Sequence, residues 1–82
     1  MINTMKDNHT LLIVQAIRQR RVALGYSQEY MAYKMEMGQN CYSKIELGNN
    51  KLTVDRFLDI CLLLDLDASQ LLNVRLMVPQ AV

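Results

Sequence analysis

Tryptophan is absent from this 82-residue chain, phenylalanine occurs once, and four tyrosines complete the aromatic set. A dense core must therefore come from aliphatic side chains and from the six methionines, whose flexible thioethers fill irregular gaps. One proline and three glycines exclude a collagen-like chain, and 51% hydrophobic residues exclude a disordered one. Charge of one sign is also lacking. Nine Lys and Arg stand against eight Asp and Glu, for a net charge of +1. Nucleic-acid-binding domains commonly show a pI above ~9, and the value here is about 7.8. The longest apolar runs, Leu11–Val14 and Ile60–Leu64, fall far short of the ~20 residues of a membrane helix. The short apolar run after Lys6 is too little for an export signal. Cys41 and Cys61 make no metal or redox spacing, and both are expected to be reduced thiols in a cytoplasm. The single histidine, His9, is expected to be solvated rather than a ligand. No Ser/His/Asp arrangement, carboxylate pair or phosphate loop occurs, and so small a domain has little room for a buried active site. The sequence implies no enzyme, no cofactor, no metal and no membrane partner.

What is present is helical periodicity from end to end, without internal repeats or a Pro/Gly/Ser-rich linker. The first helix is expected to start near Asn8 or Thr10, either of which can cap, and to stop at Gly25. Its inward stripe is Ile13, Val14, Ile17 and Leu24, with Arg21 in the middle. Ser27 caps a two-turn second helix with Met31, Ala32 and Met35 inward and Glu29 complementing the helix dipole. A third helix spans Gln39–Leu47, stopped by Gly48, with Tyr42, Ile45 and Glu46 on its inward side. Thr53 caps a fourth helix, Val54–Leu64, whose apolar stripe reads Val54, Phe57, Leu58, Cys61 and Leu64. Asp65 tolerates the left-handed backbone that ends it. The spacing of Asp67 and Gln70 resembles a capping box that opens a fifth helix with Leu71 and Leu72 inward. The fold class is all-α, with five helices.

Two charges in this pattern sit on apolar stripes, Arg21 in the first helix and Glu46 in the third. An unpaired buried charge costs several kcal/mol. The two are therefore expected to meet as a mostly buried ion pair. The remaining charge is uneven along the chain: residues 1–34 carry five basic and two acidic side chains, residues 35–82 four and six. Any nucleic-acid contact must rest on a local patch.

The segment Ser27–Gly48, SQEYMAYKMEMGQNCYSKIELG, resembles the helix-turn-helix of the phage-repressor (Xre/Cro-type) family. Gln28, Ala32, Met37, Ser43, Ile45, Glu46 and Gly48 match its pattern as they stand, and the likeness extends over about residues 10–72. Ala32 is the small residue that lets two short helices approach at a steep angle. The departure is at the turn. Glu36 stands at the family's glycine, where left-handed backbone costs a side chain ~1–2 kcal/mol, and Gly38 stands where the family prefers a Ser or Thr cap. Either Glu36 takes that conformation or the turn rearranges around Gly38.

The resemblance implies a five-helix repressor-like domain whose second motif helix lies in the DNA major groove. Gln39, Asn40, Ser43 and Lys44, away from Tyr42 and Ile45, would then face DNA rather than form an ordinary solvated face. Gln and Asn suit adenine N6/N7, and Lys reaches guanine O6/N7 or phosphate. Gln28, opening the second helix, can hold a phosphate oxygen. Arg18, Arg20, Lys34, Asn49 and Lys51 are further candidates for the phosphate backbone. The division expected is an N-terminal arm over 1–9, the DNA-binding domain over 10–73, and a tail over 74–82. Leu72–Val78, apolar but for Asn73 and Arg75, is too apolar to leave comfortably in water and is expected to form a dimer contact. The function implied is a cytoplasmic, dimeric, sequence-specific regulator on double-stranded DNA. The alternative is an antitoxin-like or accessory module that binds a protein partner.

Overall fold

The computed structural model describes residues 2–49 and 51–76, with side chains over 9–49 and 51–72. Five helices follow in order: α1 Ile2–Ala23, α2 Gln28–Lys34, α3 Gln39–Leu47, α4 Val54–Leu64 and α5 Ala68–Leu76. No strand occurs among the described residues. No helix is long and apolar enough to cross a membrane among them either.

Cap chemistry sets most boundaries. The Ser27 hydroxyl accepts from the Tyr30 amide at 2.9 Å, and the Thr53 hydroxyl from the Arg56 amide at 3.2 Å. Each thereby satisfies one of the orphan donors of a helix start. Gly25 and Gly48 stop α1 and α3 in the left-handed conformation, φ 79° and 81°. Asp65 does the same for α4 at φ 54°. At the start of α5 the Asp67 carboxylate accepts from the Ser69 amide and hydroxyl, at 3.0 and 2.7 Å, and the Gln70 amide donates to the Asp67 carbonyl at 3.0 Å.

The core gathers one face of each helix. Ile17, Met31, Tyr42, Ile45, Ile60 and Leu64 are fully enclosed, with Ala32, Phe57 and Cys61 beside them. Met35, Leu71 and Leu72 pack against this cluster, half-buried. Three sequence expectations need correction. α1 begins at Ile2, not at Asn8 or Thr10. The residues ahead of those caps contain no Gly or Pro, so nothing stops the helix from running back through them. Leu24 is exposed because α1 ends at Ala23 and the chain turns at Gly25, which carries Leu24 off the stripe. In α4, Val54 and Leu58 are exposed while Ile60 is buried. The face that meets the other helices is Phe57, Ile60, Cys61 and Leu64, and Val54 and Leu58 lie beyond its edge.

Candidate nucleic-acid interface

Arg21 and Glu46 are both buried, at 8% and 9% exposure, and the two meet as expected. Arg21 Nε donates to Glu46 Oε2 at 2.6 Å and Nη2 to Oε1 at 3.1 Å, while Nη1 reaches the Tyr26 carbonyl at 2.8 Å. Two further donors complete the carboxylate. The Tyr42 hydroxyl gives its proton to Oε2 at 2.6 Å, and Gln28 Nε2 donates to Oε1 at 3.0 Å. No buried side-chain polar atom among the described residues lacks a partner. Glu46 thus ties α3 to α1 and, through Gln28, to α2.

The electrostatics follow from this crowding. Burial alone would push the Glu46 carboxyl up, but hydrogen bonds from Arg21, Tyr42 and Gln28 outweigh it and hold the group below its ordinary value. The bond to Glu46 keeps Arg21 above its ordinary value against the opposing effect of burial. Burial, reinforced by the carboxylate it faces, pushes the Tyr42 phenol far up. Arg21 and Glu46 are charged and Tyr42 is neutral at neutral pH, so the network rigidifies the motif rather than switching it.

The turn between α2 and α3 keeps its left-handed residue at Glu36, φ 56°. The Met37 amide closes back on the Ala32 carbonyl at 3.0 Å, one of the bonds of a Schellman-type end. The alternative of a turn rearranged around Gly38 does not occur. Gly38 is extended (φ −71°, ψ 152°) and precedes α3 as a cap without a side chain to bond.

On this frame, α3 presents Gln39, Asn40 and Lys44 to solvent, with Ser43 half-buried between them. Asn49 and Lys51, just past the end of α3, are exposed, as are Arg18 on α1 and Lys34 on α2. The Lys34 ammonium lies 6.0 Å from the Tyr30 ring centre. Gln28 is half-buried with one amide N–H already given to Glu46, so its carbonyl oxygen and second N–H are what it can offer a ligand. Arg20 is drawn elsewhere: its Nε donates to the Leu64 carbonyl at 2.8 Å, closing the end of α4. Sequence reasoning missed that bond and the roles of Tyr42 and Gln28 at Glu46. The Tyr42 contact carried a signal, because a residue four positions before Glu46 shares its helix face.

Two short helices crossed at a tight turn, with the second one's polar face free, define a helix-turn-helix protein. A helix-turn-helix family model matches residues 17–71, and the chain belongs to this Xre/Cro-like family of DNA-binding regulators. No curated protein and no solved structure gives a significant match to the chain.

Proposed function

We propose that the chain is a sequence-specific regulator that binds duplex DNA as a dimer, with α3 in the major groove. The observation that carries this reading is the exposed polar face of α3, held by a buried network that fixes α3 against α1 and α2. Gln39 and Asn40, at the start of α3, reach base edges. Lys44, one turn on, serves a base or a phosphate, and Ser43 sits between them. Gln28, Arg18, Lys34, Asn49 and Lys51 position the backbone. A single compact module buries only ~600–1,000 Å² on DNA. A two-fold dimer doubles that and requires half-sites ~10–10.5 base pairs apart or a multiple. Leu72–Val78 is the segment proposed to join the subunits, and action on DNA places the protein in the cytoplasm.

The direct test is retardation and footprinting of a duplex from the gene's own upstream region. Replacing Gln39 or Asn40 with Ala should weaken binding by ~1–3 kcal/mol and relax preference at particular base pairs. Equal losses on the footprinted and a random duplex would refute direct readout by these two residues.

A further inference from the structure

Single hydrophobic side chains scattered over a surface are ordinary, but Leu47 is set apart by its place. The other large apolar residues of α3, Tyr42 and Ile45, are fully enclosed, while Leu47 is 65% exposed. Leu47 follows Asn40 by seven positions, Ser43 by four and Lys44 by three, so the four share one face of the helix. That face is the one proposed above to enter the major groove. We infer that Leu47 is a specificity-determining residue, its side chain packing on the 5-methyl group of a thymine. The inference rests on the reading of α3 as the DNA-facing helix and adds an apolar reader to its polar ones.

The choice of thymine follows from what base pairs display. Their major-groove edges carry hydrogen-bond donors and acceptors and, at thymine alone among the four bases, a methyl group. A leucine side chain neither donates nor accepts, so that methyl is the base feature it can recognise. Their contact takes two apolar groups out of water together. A phosphate is the wrong partner, because covering its charged oxygens without a hydrogen bond costs free energy. Side chains on a helix lean toward its N-terminus. Leu47 therefore covers ground beside Ser43 and Lys44 rather than beyond the end of α3. One flank of Leu47 borders the cleft it lines with Leu11 and Val54, and the larger part of the side chain stays open. From Asn40 to Leu47 the helix rises ~10.5 Å, about three base-pair steps of ~3.4 Å. The thymine accordingly lies within about three base pairs of the one that Asn40 reads.

The experiment replaces each thymine of the footprinted duplex in turn by deoxyuridine, which lacks only the methyl group. Binding is measured for the intact chain, Leu47→Ala and Leu47→Met. Alanine is a strong helix former and the position is exposed, so Leu47→Ala should melt like the intact chain. If it melts lower, Leu47→Gln repeats the comparison. The intact chain should bind roughly fourfold more weakly for each methyl group removed at the contacted position, the worth of one buried carbon. Leu47→Ala should lose affinity for the thymine duplex and bind the thymine and deoxyuridine duplexes equally, while Leu47→Met keeps the preference. Tolerance of deoxyuridine at every position would overturn the inference. So would a thymine preference that survives in Leu47→Ala, since another side chain would then read the methyl. Equal losses by Leu47→Ala on the footprinted and a random duplex would mark a backbone contact and overturn it too. Each of these three results leaves the polar readout by Gln39 and Asn40 to be judged by their own alanine variants. An intact chain that binds duplexes without sequence preference, or binds none, would overturn both.

Discussion

Glu46 accepts four hydrogen bonds on two oxygens, from Arg21, Tyr42 and Gln28. Removing one partner of such a buried pair leaves the other charge unpaired, which costs ~3–5 kcal/mol. Glu46→Ala should therefore lower the melting temperature steeply, at ~4–8 °C per kcal/mol for a domain of this size. Arg21→Lys should also destabilise although the charge is kept, because an ammonium cannot copy a guanidinium that bonds through three nitrogens to two partners. The pH dependence has a definite sign. Glu46 is held below its unfolded value, so its share of stability is whole above the ordinary glutamate pKa of ~4.3 and is lost as pH falls through the folded value. Thermal melts from pH 7 to 3 should show a steep acid limb for the intact chain and a flatter one for Glu46→Ala. Parallel limbs would show that other carboxylates cause the acid loss. This pair was legible in the sequence because two opposite charges broke two apolar stripes. Gln28's share was not, because its polar side chain reads equally well as a ligand for water, phosphate or a neighbouring carboxylate.

At the scale of elements, the turn between α2 and α3 holds two residues that work against it. Glu36 sits at φ 56° where glycine is at ease. Glu36→Gly should stabilise the fold by about 0.5–1 kcal/mol, the relief of left-handed strain less the greater freedom of glycine in the unfolded chain. Gly38 caps α3 without a side chain, its backbone is extended, and a Cβ there would meet nothing within 4 Å. Gly38→Ser should add a few tenths to 1 kcal/mol by accepting from a free amide of the first turn. Urea midpoints should rise with unchanged slopes in both variants. The bounds of α2, α3 and α4 were legible because Ser27, Gly48, Thr53 and Asp65 act locally, within a few residues of where they stand. The start of α1 was not, since capping residues there are not preceded by any breaker. Nor was the exposure of Val54 and Leu58. Periodicity shows that a stripe exists, but where the facing helix ends is a property of the packed domain.

For the molecule as a whole, a net charge of +1 offers little long-range attraction to DNA. On the proposed reading, affinity comes from short-range contacts of cations such as Arg18, Lys34, Lys44 and Lys51, all of them exposed. Each neutralised phosphate adds ~0.9 to the slope of log affinity against log salt, so a few such contacts per subunit of the proposed dimer predict a slope of roughly −4 to −7. A salt series on the footprinted duplex measures it directly. A slope near zero would favour a protein partner over DNA as the ligand of α3.

The Tyr42 hydroxyl has a consequence for how the protein can be watched. A free phenol ionises near pH ~10, but Tyr42 is enclosed and faces a carboxylate, so it keeps its proton at that pH while the core stays shut. With no tryptophan in the chain, tyrosine is the dominant near-ultraviolet chromophore. After a rapid jump to alkaline pH, a phase of phenolate absorbance should therefore appear in step with the loss of helical circular dichroism. If the two signals ran at different rates, Tyr42 would be reaching solvent by a local opening. If they coincide, the chain has a built-in optical clock for unfolding that needs no added dye.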